Sequence, residues 1–257
     1  MTILHDIVAD KKQYVDYLKT SDYLVSLEHY QFDSVSFKDS LLLKGLSLIA
    51  EVKKASPSKG VINSDFDPLV IAKSYMRSGA SALSVLTDER FFQGHNDYLM
   101  AIKNHFKLPV LRKDFMIDPI QIKESSLIGA DAILLIVSIL SVNQAQELID
   151  CARQYNLDIL CEVHDGDDLD KVSCLNHIDI IGINNRNLKN FDVDLSRSLT
   201  MKQQIDDCFD DVICIAESGY DQVDQLDKLI KAGFFAVLIG EGLVKNLNMI
   251  NYFNNET

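Results

Sequence analysis

A (β/α)8 barrel preceded by a helical extension is the fold class that the sequence predicts, and three observations predict it. Eight apolar or β-branched runs recur roughly 22 to 35 residues apart, a number and spacing that suit such a barrel. Segments of helical period separate the runs. Several of these segments carry start and stop residues, such as Asp67-Pro68 before one helix and Gly79, Gly129 and Gly233 after others.

The chain opens outside this repeat. Within residues 1–45, apolar positions in Ile7–Leu18 and again around Phe37–Leu43 predict one or two amphipathic helices, expected to cap the barrel or approach the active-site rim. The strand-like runs follow in order: Leu46–Val52, Ala82–Leu86, Leu108–Leu111, Ala132–Val137, Leu157–Val163, Ile178–Ile183, Val212–Ala216 and Ala236–Ile239. Helical period is clearest in Pro68–Ser78, Pro119–Ile128, Val142–Tyr155 and Gln222–Ala232. A doubly wound open sheet is the competing architecture, but it rarely needs eight regular units, and its Gly-x-Gly-x-x-Gly turn is absent. No stretch rich in Pro, Gly or Ser divides the chain, so residues 1–257 are expected to form one domain.

Composition narrows the function classes. At 257 residues and 47% hydrophobic content, the chain can bury a large core. A formal charge of −13 argues against a nucleic-acid partner, which needs a basic stripe. No run approaches the ~20 apolar residues of a membrane span, and the first residues do not read as a signal peptide. Cys151, Cys161, Cys174, Cys208 and Cys214 form no Cys-x-x-Cys pair and read as reduced, which makes the cytoplasm the expected compartment. The six histidines show no metal-ligand spacing. A small anionic substrate remains compatible, provided that local cations overcome the unfavourable net field.

Those cations sit at strand ends. The first strand runs out into Glu51, Lys53 and the loop Ser56-Pro57-Ser58-Lys59-Gly60, placing ionisable groups where a core should close. Side chains alternate along a strand, and catalytic groups of a barrel gather at its C-terminal ends. That parity points Glu51 and Lys53, Leu111 and Lys113, Leu160 and Glu162, Gly182 and Asn184, Ile215 and Glu217, and Leu238 and Gly240 inward. Residues of the opposite parity, Val52, Cys161, Ile183 and Ala216, are small or apolar. Arg112 is the exception, expected to reach solvent between helices or to pair with an acid. Ser218-Gly219 and Gly240-Glu241 follow the seventh and eighth strands, where barrels often hold phosphate. His164 shares the parity of Glu162, but it lies past the strand end and is given no role.

These motifs together resemble the indole-3-glycerol phosphate synthase family. The resemblance rests on Ile49–Gly60, Ser84–Gly94, Pro109–Phe115, Ala130–Val137, Glu162–Asp165, Gly182–Leu188, Ala216–Gly219 and Leu238–Gly242, in the family's order. It implies closure of 1-(2-carboxyphenylamino)-1-deoxyribulose 5-phosphate to indole-3-glycerol phosphate without metal or other cofactor. It further implies Lys113 as general acid and Glu162 as the carboxylate that stabilises cationic intermediates and takes part in dehydration. The resemblance implies Lys53 as an alternative proton donor for dehydration, oriented by Glu51, and the choice between the lysines stays open. Asn184 and Glu217 are implied at the ribulose hydroxyls, and Ser56 and Arg186 at the anionic parts of the substrate. Phe92, Phe115, Leu134 and Leu238 are implied around the aromatic ring. Lys53, Ser218, Gly219, Gly240 and Glu241 are implied at the phosphate, with the Glu241 side chain expected to turn away to solvent. A monomer is the expected state.

Two other functions compete. A phosphoribosylanthranilate isomerase would carry Lys-x-Cys-Gly on the first strand, where this chain has Lys53-Lys54-Ala55-Ser56. A non-catalytic binding barrel would be expected to lose Lys113 or Glu162, and both are present.

Overall fold

In the computed structural model, which describes residues 3–42, 45–187, 191–246, 249, 252 and 253, eight parallel strands close into a barrel in chain order. Met1, Thr2, Leu43 and Leu188, on which expectations from sequence also fell, lie outside the described residues. The strands are β1 (Ser47–Val52), β2 (Ala82–Leu86), β3 (Val110–Lys113), β4 (Ala132–Ile136), β5 (Asp158–Val163), β6 (Ile180–Asn184), β7 (Ile213–Glu217) and β8 (Ala236–Ile239). The fold is therefore the predicted (β/α)8 barrel with an N-terminal helical extension.

Register delivers the predicted parity. Glu51 pairs across the ladder with Ser84, Glu162 with Gly182, and Glu217 with both Asn184 and Leu238. One apolar cluster fills the barrel and includes Ile49, Leu111, Leu160, Ile180 and Ile215. A second packs the strands against the helices, and Val52, Cys161, Ile183 and Ala216 belong to it.

The extension holds α1 (Ile3–Thr20), α2 (Tyr23–Leu27) and α3 (Phe37–Ser40). Helix α3 lies across the N-terminal ends of the strands. Its Phe37 is fully buried in the barrel cluster, the Lys38 N–H donates to Asp158 at 2.8 Å, and the Val35 N–H just before it donates to Asp131 at 2.9 Å. Helix α1 instead approaches the opposite rim, where its Asp10 lies 2.6 Å from Arg90 and its Lys11 3.0 Å from Asp88.

The remaining helices are α4 (Pro68–Arg77), α5 (Glu89–Phe92), α6 (Asn96–His105), α7 (Pro119–Leu127), α8 (Val142–Gln154), α9 (Gly166–Val172), α10 (Ser196–Cys208), α11 (Val223–Lys231) and α12 (Glu241–Lys245). Caps set their starts. Asp67 accepts from the N–H groups of Leu69 and Val70 ahead of α4, and Ser141 and Gln144 form a capping box on α8.

Where sequence and structure differ, the strands run further into polar residues than the apolar runs suggest. β3 ends at Lys113 rather than Leu111, β6 at Asn184 rather than Ile183, and β7 at Glu217 rather than Ala216. Ladder bonds are made by the backbone and do not depend on side-chain polarity, so an apolar pattern under-reports a strand that ends in a site. Arg112 takes the second of its two expected fates. It is 0% exposed, with its guanidinium 2.8 Å from Glu124 and 3.4 Å from Asp114.

Candidate active site

At the C-terminal ends of the strands a cavity of about 340 Å³ opens. Glu51, Lys53, Ser56, Phe92, Lys113, Phe115, Leu134, Glu162, Asn184, Arg186, Ser218, Gly219, Leu238, Gly240 and Glu241 all line it. Strand register brings Glu51, Lys113, Leu134, Glu162, Asn184 and Leu238 together, and the loops and short helices that follow the strands add the rest.

The cavity floor is a knot of charges. The Lys113 ammonium, on the last residue of β3, lies 2.9 Å from Glu217, 3.7 Å from Glu162 and 3.9 Å from Glu51. Burial pushes its pKa down, but the three carboxylates, Glu217 foremost, hold it above the ordinary lysine value. The Lys53 ammonium donates to Glu51. Burial pushes Glu51 up, and Lys53 and then Lys113 pull it below the usual carboxylate range. Glu162 and Glu217 are driven apart. Burial, only partly offset by Lys113, raises Glu217, whereas His164 and Lys113 overcome burial and lower Glu162.

Glu217 is the one predicted site residue that does not line the cavity. It is 0% exposed beneath Lys113, and its Oε1 has no hydrogen-bond partner. Gly182 leaves the room for it, since a Cβ there would come within 2.1 Å of that oxygen.

One wall is apolar. The rings of Phe92 and Phe115 lie 6.0 Å apart, with Leu134 and Leu238 nearly fully buried beside them. Ser56 contributes a buried hydroxyl without a hydrogen-bond partner. Asn184 is fixed through its Oδ1, which accepts the Arg186 N–H at 3.0 Å.

The rim carries the glycine turns. Ser218 and Gly219 have φ of +68° and +91°, two successive left-handed residues that place a tight backbone curve at the end of β7. Gly240 answers to space: a Cβ there would lie 2.5 Å from Glu51 Oε1. The expectation that Glu241 turns to solvent is wrong. Its side chain is only 13% exposed and sits among the cations Lys59, to which it is hydrogen-bonded, Lys245 at 3.5 Å and Arg186 at 3.8 Å. Three cations from two loops and a helix attract the carboxylate more strongly than water does.

His164 is the residue that sequence reasoning passed over. Its ring lies 3.3 Å from Glu162 and 3.4 Å from Asp168, within ion-pair distance although neither nitrogen is aligned for a hydrogen bond. Shared parity with Glu162 was the available signal. Burial lowers its pKa, but Asp168 and Glu162 together raise it to about 9. Because the folded value lies above the unfolded one, the stabilisation is full below about pH 6.5 and is lost as pH rises through about 9. Denaturant unfolding of the wild type and His164→Gln should therefore differ more at pH 6 than at pH 9.5. A gap that is constant or grows with pH would refute the charged-imidazole assignment.

Comparison with known proteins gives a consistent picture. The family model described as indole-3-glycerol phosphate synthase matches residues 4–254. An indole-3-glycerol phosphate synthase of Chlorobium chlorochromatii is 52% identical over 200 residues, covering 78% of this chain and 76% of that protein. Those of Bacillus pumilus (46% identical, 95% and 94% covered) and Chloroherpeton thalassium (44% identical, both chains fully covered) are similar along almost the whole length.

Proposed function

Since the chain belongs to the indole-3-glycerol phosphate synthase family and has that carboxy-lyase activity, we propose how its residues divide the work. The reaction converts 1-(2-carboxyphenylamino)-1-deoxyribulose 5-phosphate into indole-3-glycerol phosphate, carbon dioxide and water, a step in tryptophan biosynthesis.

The anthranilate ring lies between Phe92, Phe115, Leu134 and Leu238, and the phosphate lies at Ser218, Gly219, Gly240 and Glu241, within reach of Lys53. Lys113 protonates the ribulose keto oxygen while the ring carbon that bears the carboxylate attacks the keto carbon. A carbon–carbon bond forms and a hydroxyl takes the place of the carbonyl. Loss of carbon dioxide leaves its electron pair in the ring and restores aromaticity. Dehydration then needs a proton on the departing hydroxyl, from Lys53 or Lys113, and loss of a proton from the neighbouring carbon, assisted by Glu162. Asn184 holds the ribulose hydroxyls. Ser56 and Arg186 meet the anionic groups. Glu217 acts from beneath Lys113, and Glu51 keeps Lys53 charged and oriented.

The observation that carries this reading is a largely buried ammonium held among three carboxylates beside an apolar slot, an acid next to the place where an aromatic ring fits. The chain is proposed to act as one domain over residues 1–257, as a cytoplasmic monomer without a cofactor. Among the described residues no helix is long and apolar enough to cross a membrane. Following indole absorbance after addition of the carboxyphenylamino substrate tests the assignment, with Lys113→Met run alongside. Equal rates in the two proteins would remove it.

Glu241 gives a separate test. Its carboxylate occupies a cationic spot that an incoming anion must share, so Glu241→Ser should lower KM several-fold with kcat little changed. Gly240→Val should raise KM strongly, because the new side chain collides with Glu51 as well as with the approaching phosphate. A folded Glu241→Ser variant that binds substrate more than about tenfold more weakly, ~1.4 kcal/mol, would contradict this account.

A further inference from the structure

We propose that Lys11, on the N-terminal helix α1, is a positioning residue for Lys113 and for the aromatic walls of the site, acting through Asp114 and Asp88. Its ammonium lies 2.7 Å from Asp114 Oδ1 and 3.0 Å from Asp88 Oδ2, with its side chain 6% exposed and both carboxylates 1% exposed. Of these two carboxylates Arg112 of the barrel faces Asp114 alone, at 3.4 Å, and the cation that bridges Asp114 to Asp88 is Lys11. It comes from a helix some hundred residues earlier in the chain.

Both carboxylates hold backbone that carries the site. Asp114 stands between Lys113 and Phe115, and its Oδ1 also accepts the Phe115 N–H at 2.8 Å. Its Oδ2 accepts the Thr87 hydroxyl at 2.6 Å and faces the Arg112 guanidinium at 3.4 Å. Asp88 accepts the Phe91 N–H at 2.8 Å and so starts α5, the short helix that presents Phe92. One ammonium therefore fastens the segment of Lys113 and Phe115 to the segment of Phe92. Arg112 braces the same corner from the other side, through Glu124 at 2.8 Å and the Thr87 hydroxyl at 3.0 Å.

Two buried carboxylates sharing one cation cannot hold this arrangement when the cation is removed, because they repel each other and neither has water to replace it. Asp114 keeps Arg112, Thr87 and the Phe115 N–H, so the strand persists while its end shifts. A small displacement of an acid from its reacting atom costs rate far more than it costs binding, since misplacement by ~1 Å can cost about a hundredfold. Lys11 itself does not line the cavity.

The inference rests on the reading of Lys113 as the acid, and the experiment separates the two. kcat and KM are measured by indole absorbance for wild type, Lys11→Met, Lys11→Arg and Lys113→Met, at a temperature where circular dichroism shows each fully folded. Lys11→Met is expected to lower kcat about tenfold with KM within about twofold, and Lys11→Arg to recover most of the loss. If Lys11→Met does not fold, Asp88→Asn, which keeps the shape and removes one partner, is read in the same way. A folded Lys11→Met, or Asp88→Asn in its place, with a lower melting temperature but unchanged kcat overturns the proposal while an inactive Lys113→Met leaves the acid in place. A fully active Lys113→Met overturns both.

Discussion

Lys113→Met is expected to leave a folded protein that binds substrate and closes no ring. Methionine keeps the length and apolar stem of the lysine, so the walls around it are little disturbed. The lost charge leaves Glu217, Glu162 and Glu51 without the ammonium they surround. Breaking a buried pair usually costs about 3–5 kcal/mol, because a bare charge stays behind. Here that cost is softened. Burial already pushes Glu217 well above the usual carboxylate range, so it can take up a proton when Lys113 is gone. Binding is retained because the ring slot and the phosphate turns are untouched, and catalysis is lost because nothing else at the end of β3 carries a proton into the cavity. General acid catalysis contributes about 10²- to 10⁴-fold. A variant whose kcat falls by less than about tenfold in the indole assay shows that the acid lies elsewhere.

Glu162→Gln should be nearly as damaging, for a different reason. The amide fills the same space, and its oxygen can still face His164 and Lys113, so KM should change little. What disappears is a negative charge that His164 and Lys113 hold ionised far below neutral pH. Cationic intermediates then form opposite a neutral group, and the later proton transfer loses its acceptor. A fall in kcat of at least about a hundredfold is expected. His164 would lose one of the two carboxylates that raise it, so its titration should move down from about 9, which NMR of the imidazole would detect. Activity close to wild type in Glu162→Gln would assign the base to another carboxylate.

Much of the site was legible because a strand has a period of two. Parity and the end of an apolar run were enough to select Glu51, Lys53, Lys113, Glu162 and Asn184, and register then brings them into one cavity. Parity says which way a side chain points but not how deep it sits. For that reason Glu217 was expected at the substrate and is found beneath Lys113. Glu241 escapes the sequence pattern because an acid in a first helical turn ordinarily faces water, and cations that draw it in come from loops far away in sequence. Lys11 was invisible for a similar reason. A lysine on an amphipathic helix reads as a solvated face, and only the docked helix shows it buried between two aspartates. His164 lies one residue beyond its strand, as Lys53 does beyond β1, so the same parity reaches it, but no loop of polar and cationic residues follows it to draw attention as one follows Lys53.

The stopper formed by Phe37 turns the barrel into a cup rather than a tube. With α3 drawn across the base and apolar side chains filling the interior, traffic among the described residues runs through the rim alone. In the proposed binding mode carbon dioxide is released at the floor, next to Lys113, while the ring it left still occupies the slot above the acids. With the phosphate bound as proposed, the gas and the water of dehydration would slip past a product anchored at that same rim. Departure ordered by size, with the small molecules first and the indole product last, is the expected consequence of that arrangement.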